Sequence, residues 1–262
     1  MSIATLAFPT QQNDPRLKGW YHTIELAPGL VTHGAFYDHR PTVNRVGLPK
    51  SLAGKTALDV GTADGFWAFE LERRGAAKVT AIDIARPQDY DLLPIQVARM
   101  PDCWHDSTGH DHADRFHLAH AMLKSQVEYK VCNVYDVCPE MLGTFDFVYC
   151  GTMLMHLFNP LQALINIRSV TREMAVVETA GFHPVGDPVE RKFPNQPFAW
   201  FGSLDAEKAP GADCTYWRFS STALCHMLIY AGFKRVEPQG VYMIKGPGGG
   251  GLPVTSVRAF VS

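Results

Sequence analysis

Short apolar runs alternate with stretches of helical spacing through most of this chain, the order expected of an α/β sheet. Thr56-Ala-Leu-Asp-Val-Gly61 reads as the first strand, and Phe66 to Arg74 as a helix that Gly75 closes as a C-cap. Val79 to Ile84 is a second strand and Glu128 to Val134 a third. Between them Phe116, Ala119 and Leu123 follow helical spacing, with Asp111 or Asp114 placed to cap that helix. Phe145 to Cys150 makes a fourth strand, after which Asn159 and Pro160 supply an N-cap and a first helical position for Leu161 to Val170. Met174 to Thr179 is a fifth strand. Ser220 or Ser221 caps a helix with Leu224, Met227, Leu228 and Ala231 on one face, ended by Gly232.

Two extended stretches, Phe233 to Lys245 and Val254 to Val261, flank the Gly-rich run 246–253. No helix follows those glycines, so they read as a hairpin connection and not as a phosphate cradle. Outside this plan lie residues 1–50, read as an N-terminal lid or cap on a catalytic domain spanning 51–262. Two connections rich in Pro and His, near 86–115 and 180–219, have the length of lids or binding elements.

With 262 residues, 46% of them hydrophobic, the chain is large enough for one well-buried core. Lys plus Arg number 24 against 26 Asp plus Glu, a formal charge of -2, which excludes a strongly basic surface and argues against nucleic acid as a partner. No apolar run is long enough to span a bilayer, and the first residues lack the pattern of a signal peptide, so the reading is a cytoplasmic protein without membrane association. The six cysteines are scattered without a CxxC pair and read as reduced core residues. Oligomeric state is not encoded in these patterns.

The sharpest local signal is Leu58-Asp59-Val60-Gly61-Thr62-Ala63-Asp64-Gly65-Phe66. A strand runs through a turn of Gly and small residues directly into a helix. Gly61, Thr62, Ala63 and Gly65 thus let backbone amides approach a ligand lying across the carboxyl end of the sheet. Asp83 ends the next strand, where a carboxylate suits both hydroxyls of a ribose, with Ile84 beside it. A dinucleotide site would show GxGxxG facing a pyrophosphate, whereas here the spacing is Gly61, Ala63, Gly65 with Asp59 inside the strand. S-adenosylmethionine (SAM) has no phosphate but carries a methionine ammonium that Asp59 suits, so the pattern favours SAM over a nicotinamide cofactor. The bland alternative is a turn in which Gly65 only permits tight packing. Asn133 is placed to meet adenine, with Val134 on the ring, or else is simply a turn former. Cys150, Gly151 and Thr152 follow the fourth strand, where the methionine part and the methyl would lie.

Four stretches carry a resemblance: Trp20-Tyr-His-Thr-Ile-Glu-Leu26, Gly54 to Glu70, Thr152-Met-Leu-Met-His-Leu157 and Tyr216-Trp-Arg-Phe-Ser220. They resemble class I SAM-dependent methyltransferases, and within these the branch labelled tRNA (mo5U34) methyltransferase-like, which also contains enzymes acting on small molecules. The resemblance runs from about residue 18 to the end. It implies a Rossmann-like α/β fold with a seven-stranded sheet of five parallel strands and an antiparallel terminal hairpin.

The best-known member of that branch modifies a tRNA wobble uridine with carboxy-SAM. Its motif after the fourth strand resembles Gly-Val-Leu-Tyr-His, and the Tyr that holds the extra carboxylate corresponds here to Met155, which donates no hydrogen bond. A Lys serving the same carboxylate corresponds to His22, and Arg258 matches a late Arg. With two of three donors absent, plain SAM is the expected cofactor. The expected reaction is methyl transfer to a small molecule, in secondary metabolism. Modification of the tRNA wobble uridine, and a SAM-binding regulatory protein without turnover, stand as alternatives.

Methyl transfer is an in-line displacement helped by positioning, and it needs a base only when the acceptor must lose a proton. His156, His22 and His183 are the candidate bases, each with a packing role as its alternative. Trp20, Tyr21, Met155, Trp200, Tyr216 and Trp217 are the candidates for acceptor binding, with cation-π contact to the sulfonium a further use of such rings. Five histidines fall between His105 and His120, but without a recognised metal spacing, so the segment reads as a lid and no metal is assigned.

Overall fold

The computed structural model describes residues 8–86, 89–94, 112–183, 187–193, 195–202, 215–246 and 251–262. It begins with four short strands, β1 (Lys18–His22), β2 (Glu25–Ala27), β3 (Leu30–Val31) and β4 (His33–Tyr37). The main sheet then starts with β5 (Thr56–Val60), followed by helix α1 (Phe66–Arg73), β6 (Lys78–Asp83), α2 (His112–Leu123) and β7 (Glu128–Val131). It continues through β8 (Phe145–Gly151), α3 (Pro160–Val170) and β9 (Thr171–Ala180). A small separate pair, β10 (Ala199–Phe201) and β11 (Trp217–Phe219), precedes α4 (Ser221–Tyr230), β12 (Arg235–Lys245) and β13 (Gly251–Phe260).

Seven strands form one sheet in the order β12-β13-β9-β8-β5-β6-β7. The five from β9 to β7 are parallel, β13 runs antiparallel to β9, and β12 runs antiparallel to β13. The chain moves outward from β5 to β7 and then returns to β8, so the strand order reverses between β5 and β8. Ligands of such sheets bind beyond the carboxyl ends of the strands at this reversal.

The central strands are apolar on both faces because both are covered. On one face Ala57, Ala81, Phe147, Tyr149 and Val176 pack against Trp67, Ala68, Phe69 and Leu71 of α1. Leu17, Trp20, Ile24, Leu26, Val46 and Leu48 of the N-terminal segment join that same core. On the other face Leu58, Val60, Val148, Cys150 and Val177 meet Ala163, Leu164 and Ile167 of α3 and Leu224 and Leu228 of α4. Residues 8–50 are therefore layered onto the sheet face, and Asp38 extends the attachment by bridging to Lys245 at the end of β12.

Local chemistry sets the element ends. The Asn159 side chain accepts from the Gln162 amide at the start of α3, and Ser220 accepts from the Ala223 amide at the start of α4. Gly75, at φ +86, follows α1 as the left-handed residue that ends it. Three expectations are corrected. Asp114 lies inside the first turn of α2 and is not its cap, while Asp111 falls outside the described residues. The third strand stops at Val131, because Asn133 caps a 3-10 turn, Val134–Asp136, by accepting from the Tyr135 amide at 3.0 Å. The terminal hairpin is longer than its apolar pattern, since Leu252 and Pro253 already pair with Ile244 and Met243. Among the described residues no helix is long and apolar enough to cross a membrane.

Candidate active site

The glycine turn after β5 is left-handed at three places, with Gly61 at φ +75, Ala63 at +50 and Gly65 at +95. Ala63 is held in that unusual conformation from below. The Asp83 carboxylate, at the end of β6, accepts from the Ala63 amide at 2.6 Å and from the Ile84 amide at 2.8 Å. The Gly61 and Thr62 amides are also anchored, both on the Ile82 carbonyl, at 2.9 and 3.1 Å. A side chain at Gly61 would meet the sulfur of Met153 at 2.9 Å, so the turn lies close beneath the segment that follows β8.

Asp59 is 1% exposed on β5, and burial pushes its carboxyl up to about 7 against the opposing pull of the nearby Thr62 hydroxyl and His22. Asp59 Oδ2 and Thr62 Oγ1 are both buried and complete no hydrogen bond. Acceptor atoms left open beside a glycine turn fit an ammonium group. Further along the sheet edge, Ile84, Ala85, Asp89, Val131, Cys132 and Asn133 line a cavity of about 360 Å³. Asn133 thus reaches the cavity while also holding its own turn, and its Nδ2 donates to the Asp89 carbonyl at 3.4 Å. Val134 is buried in the core below. Cys150 is fully buried among α3 and α4 side chains, which raises its thiol. Gly151 lies directly over the Tyr149 hydroxyl, where a larger residue would collide with the ring.

At the end of β8, Thr152 is left-handed at φ +47 and donates its amide to the Glu178 carbonyl at 2.8 Å. A β-branched residue in that conformation is uncommon and is held by its surroundings. Its hydroxyl engages the hydroxyl of Tyr21, which in turn engages Tyr37. Tyr21 sits edge-on to His22 at 4.8 Å between ring centroids, and against Phe36 at 5.1 Å.

His22 itself is 3% exposed and is joined to the glycine turn twice. Its Nδ1 lies 2.5 Å from Asp64 Oδ1, and its backbone amide donates to Asp64 Oδ2 at 2.8 Å. Its ring also neighbours Phe66 at 5.6 Å and His39 at 5.3 Å. His39 is fully buried with neither ring nitrogen hydrogen-bonded, and burial together with His22 holds it well below the usual histidine range, hence neutral. Across the same sheet face, Tyr242 donates to Glu178, whose buried carboxyl is pushed up to about 7.

The other candidates fall in different places. His156 closes the 3-10 turn Leu154–His156 and is half-buried, beside the buried Met155. His183 is half-buried beyond β9, where its carbonyl accepts from the Asp187 amide at 2.9 Å. Tyr216 donates its hydroxyl to the Asp91 carbonyl at 2.6 Å and its amide to the Met155 carbonyl at 2.8 Å, tying residues 89–94 over the end of the sheet. The Trp217 indole donates to the Leu157 carbonyl at 2.9 Å. Trp200 is 42% exposed on β10, paired with Arg218. Trp20 is corrected: it is wholly buried, donates to the Arg16 carbonyl at 2.7 Å, and offers no surface to an acceptor. Arg258 donates to the Gly47 carbonyl at 2.6 Å, so this retained cation braces the N-terminal segment.

His105 and His110 fall outside the described residues, while His117 and His120 surround Phe116 on α2. Among the described residues no group of three His, Cys, Asp or Glu side chains is arranged to hold a metal ion. Asp64, His39 and Tyr242 were not singled out by sequence reasoning. Only the position of Asp64 within the glycine turn marked it, since its partner lies 42 residues away.

Residues 31–237 match the family model of a methyltransferase domain. The chain is 26% identical over 193 residues to the ubiquinone biosynthesis O-methyltransferase of Acinetobacter baylyi, a match covering 73% of this chain and 68% of that protein. The protein of the same name from Xanthomonas campestris pv. campestris is 35% identical over 118 residues, 45% of this chain, and the match spans little more than a third of that relative, 37%. Among solved structures, the N-terminal domain of EvdMO1 with S-adenosylhomocysteine bound aligns with a TM-score of 0.60 at 16% identity, covering 94% of this chain and 93% of that one. Magnesium protoporphyrin IX methyltransferase (ChlM) from Synechocystis PCC 6803 aligns with a TM-score of 0.51 at 16% identity, covering 80% and 76%. At that identity the two structures show a shared fold. The family model spans the glycine turn, Asp83 and the strands on both sides of the reversal, and the chain belongs to the methyltransferase-domain family as a class I, SAM-dependent enzyme.

Proposed function

We propose that this protein transfers the methyl group of SAM to a small-molecule acceptor covered by the N-terminal segment, with residues 1–50 acting as a cap on a catalytic domain of residues 51–262. The observation that carries this reading is the double attachment of Tyr21 and His22 over the carboxyl ends of β5 and β8. One hydroxyl engages Thr152, while the neighbouring residue grips Asp64 through ring and backbone. A site closed in this way by aromatic rings suits a small planar acceptor better than a folded RNA.

When bound, the donor supplies an electrophilic methyl on a sulfonium. Asp83 would take the ribose hydroxyls, Asp59 the ammonium, and the cavity beside Ile84 and Asn133 the adenine. Tyr21, Tyr37 and Phe66 are partly accessible rings placed to orient the acceptor and exclude water, while His156, His22 and His183 are the candidate groups for moving a proton. The charge of -2 favours a small acceptor over tRNA, whose binding rests on phosphate neutralisation. The relatives' names as O-methyltransferases point the same way. A place in secondary metabolism belongs to this reading through the resemblance of the motifs alone.

The test is calorimetry with SAM, followed by measurement of S-adenosylhomocysteine formation. Small aromatic compounds bearing hydroxyl, amine or thiol groups are compared with bulk tRNA at two salt concentrations. Turnover on a small compound supports the proposal. Turnover confined to tRNA and falling steeply with salt would replace it by wobble-uridine modification, and binding of SAM without turnover on either would favour a regulatory protein.

A further inference from the structure

This inference rests on the methyltransferase reading above and concerns how an acceptor loses its proton. We propose that His22 takes the proton from a phenolic or enolic hydroxyl of the acceptor, and that Asp64 is the positioning residue that holds the imidazole for that task.

Asp64 is wholly buried, and both its oxygens are engaged by one residue, Oδ1 by the His22 ring at 2.5 Å and Oδ2 by the His22 amide at 2.8 Å. A carboxylate against Nδ1 keeps the proton on that nitrogen and leaves Nε2 as the acceptor. His22 Nε2 makes no hydrogen bond with any described residue. The backbone around the ring is fixed as well, since the Thr32 hydroxyl donates to the His22 carbonyl at 2.8 Å and accepts from the Ile24 amide at 2.7 Å. The imidazole is therefore set before any ligand arrives, with one nitrogen occupied and one open.

The surroundings select the acceptor class. Tyr21 lies 4.8 Å and Phe66 5.6 Å from the His22 ring, and both are partly accessible, which suits a planar unsaturated molecule. Tyr21 also reaches the Thr152 hydroxyl, so the same ring borders the end of β8 where the methyl is delivered. An imidazole is a poor match for an aliphatic alcohol but a usable one for a phenol, whose ordinary pKa is about 10. In the step itself, the acceptor O–H bond breaks and its proton passes to His22 Nε2. The freed oxygen pair forms the O–C bond as the methyl leaves sulfur, and the S–C electron pair stays on sulfur.

Two measurements on the full chain test this. The first needs no acceptor: nitrogen-15 NMR of histidine-labelled protein at pH 8, with the His22 signal identified by its loss in His22→Asn. Nε2 is expected to be unprotonated in the wild type, with the tautomer balance moving toward Nε2–H in Asp64→Asn. A proton resident on Nε2 in the wild type, or no change in Asp64→Asn, overturns the proposal. The second uses 3,4-dihydroxybenzoate as a hydroxyl probe. His22→Asn retains a donor for Asp64 and is expected to lower kcat by about 10²- to 10⁴-fold with SAM affinity and unfolding midpoint little changed. Asp64→Asn should lower kcat less than or as much as that, up to the roughly 10⁴-fold known for an aspartate that orients a catalytic histidine. A parallel loss of SAM affinity in His22→Asn would place His22 in the donor site and overturn the assignment. Methylation of 3-aminobenzoate or 3-mercaptobenzoate, but not of the dihydroxy probe, would overturn the hydroxyl class. Failure of the wild type to bind SAM at all would instead remove the underlying functional reading.

Discussion

Asp83 and Ala63, 20 residues apart in the chain, are joined by a 2.6 Å hydrogen bond that locks the glycine turn to the end of β6. The carboxylate proposed to take the ribose hydroxyls therefore also shapes the glycine turn. Asp83→Ala should weaken SAM binding by about 10- to 150-fold, the equivalent of about 1.5–3 kcal/mol for losing hydrogen bonds to a charged group. Calorimetry that returned an unchanged affinity would remove Asp83 from the donor site.

Gly65 caps α1 at φ +95, and a Cβ there would stand 2.5 Å from the Phe69 ring and 2.8 Å from the Phe116 ring. Gly65→Ala combines left-handed strain with overpacking, and a loss of about 1–3 kcal/mol or more is expected in urea unfolding. Stability within a few tenths of wild type would mean that the two rings yield easily.

Glu178 links stability to pH. Burial raises its folded carboxyl from the ordinary 4.5 to about 7, so in that window the folded chain holds the proton more tightly than the unfolded one. Its contribution to stability is complete below about 4.5 and is lost as pH rises through about 7. Asp59, raised from 3.8 to about 7, acts with the same sign. Glu178→Gln keeps an acceptor for Tyr242 without the charge. Its stability relative to wild type should rise between pH 5 and pH 8, by on the order of 3 kcal/mol at most. A difference that is flat or opposite in sign across that range would contradict this account.

Trp20 is a test of layering. Because its indole is wholly buried with Leu17, Val46 and Leu48, Trp20→Ala should cost about 3–5 kcal/mol of stability. Among molecules that remain folded, KM for an acceptor should stay close to wild type. A raised KM with unchanged thermal stability would return this residue to the acceptor site.

The glycine turn and the strands around it were legible in the chain because they are local. A strand entering a turn of small residues and leaving as a helix, with an acidic residue at the end of the next strand, is set by backbone conformation over about thirty positions. Asn159 and Ser220 were readable as caps for the same reason, since each satisfies an amide three residues away. Where the local rule had a competitor it failed. Asn133 bonded the Tyr135 amide and ended the third strand early, and a Gly-rich run partly joined a ladder.

The contacts of the N-terminal segment were not legible, because they are pairings between distant residues. His22 meets Asp64 across 42 positions, and Glu178 meets Tyr242 across 64. No periodicity records that residues 8–50 lie on one particular sheet face, yet that layering alone buries Trp20, turns His22 toward the glycine turn and brings Tyr21 to Thr152. The sequence by itself determined the sheet, its turn and the class of donor, through alternation, glycine placement and one carboxylate. Only the tertiary structure decided which histidine is held by a buried acid and which aromatic is core. Those outcomes depend on desolvation and side-chain contact, which exist only once the layers have packed.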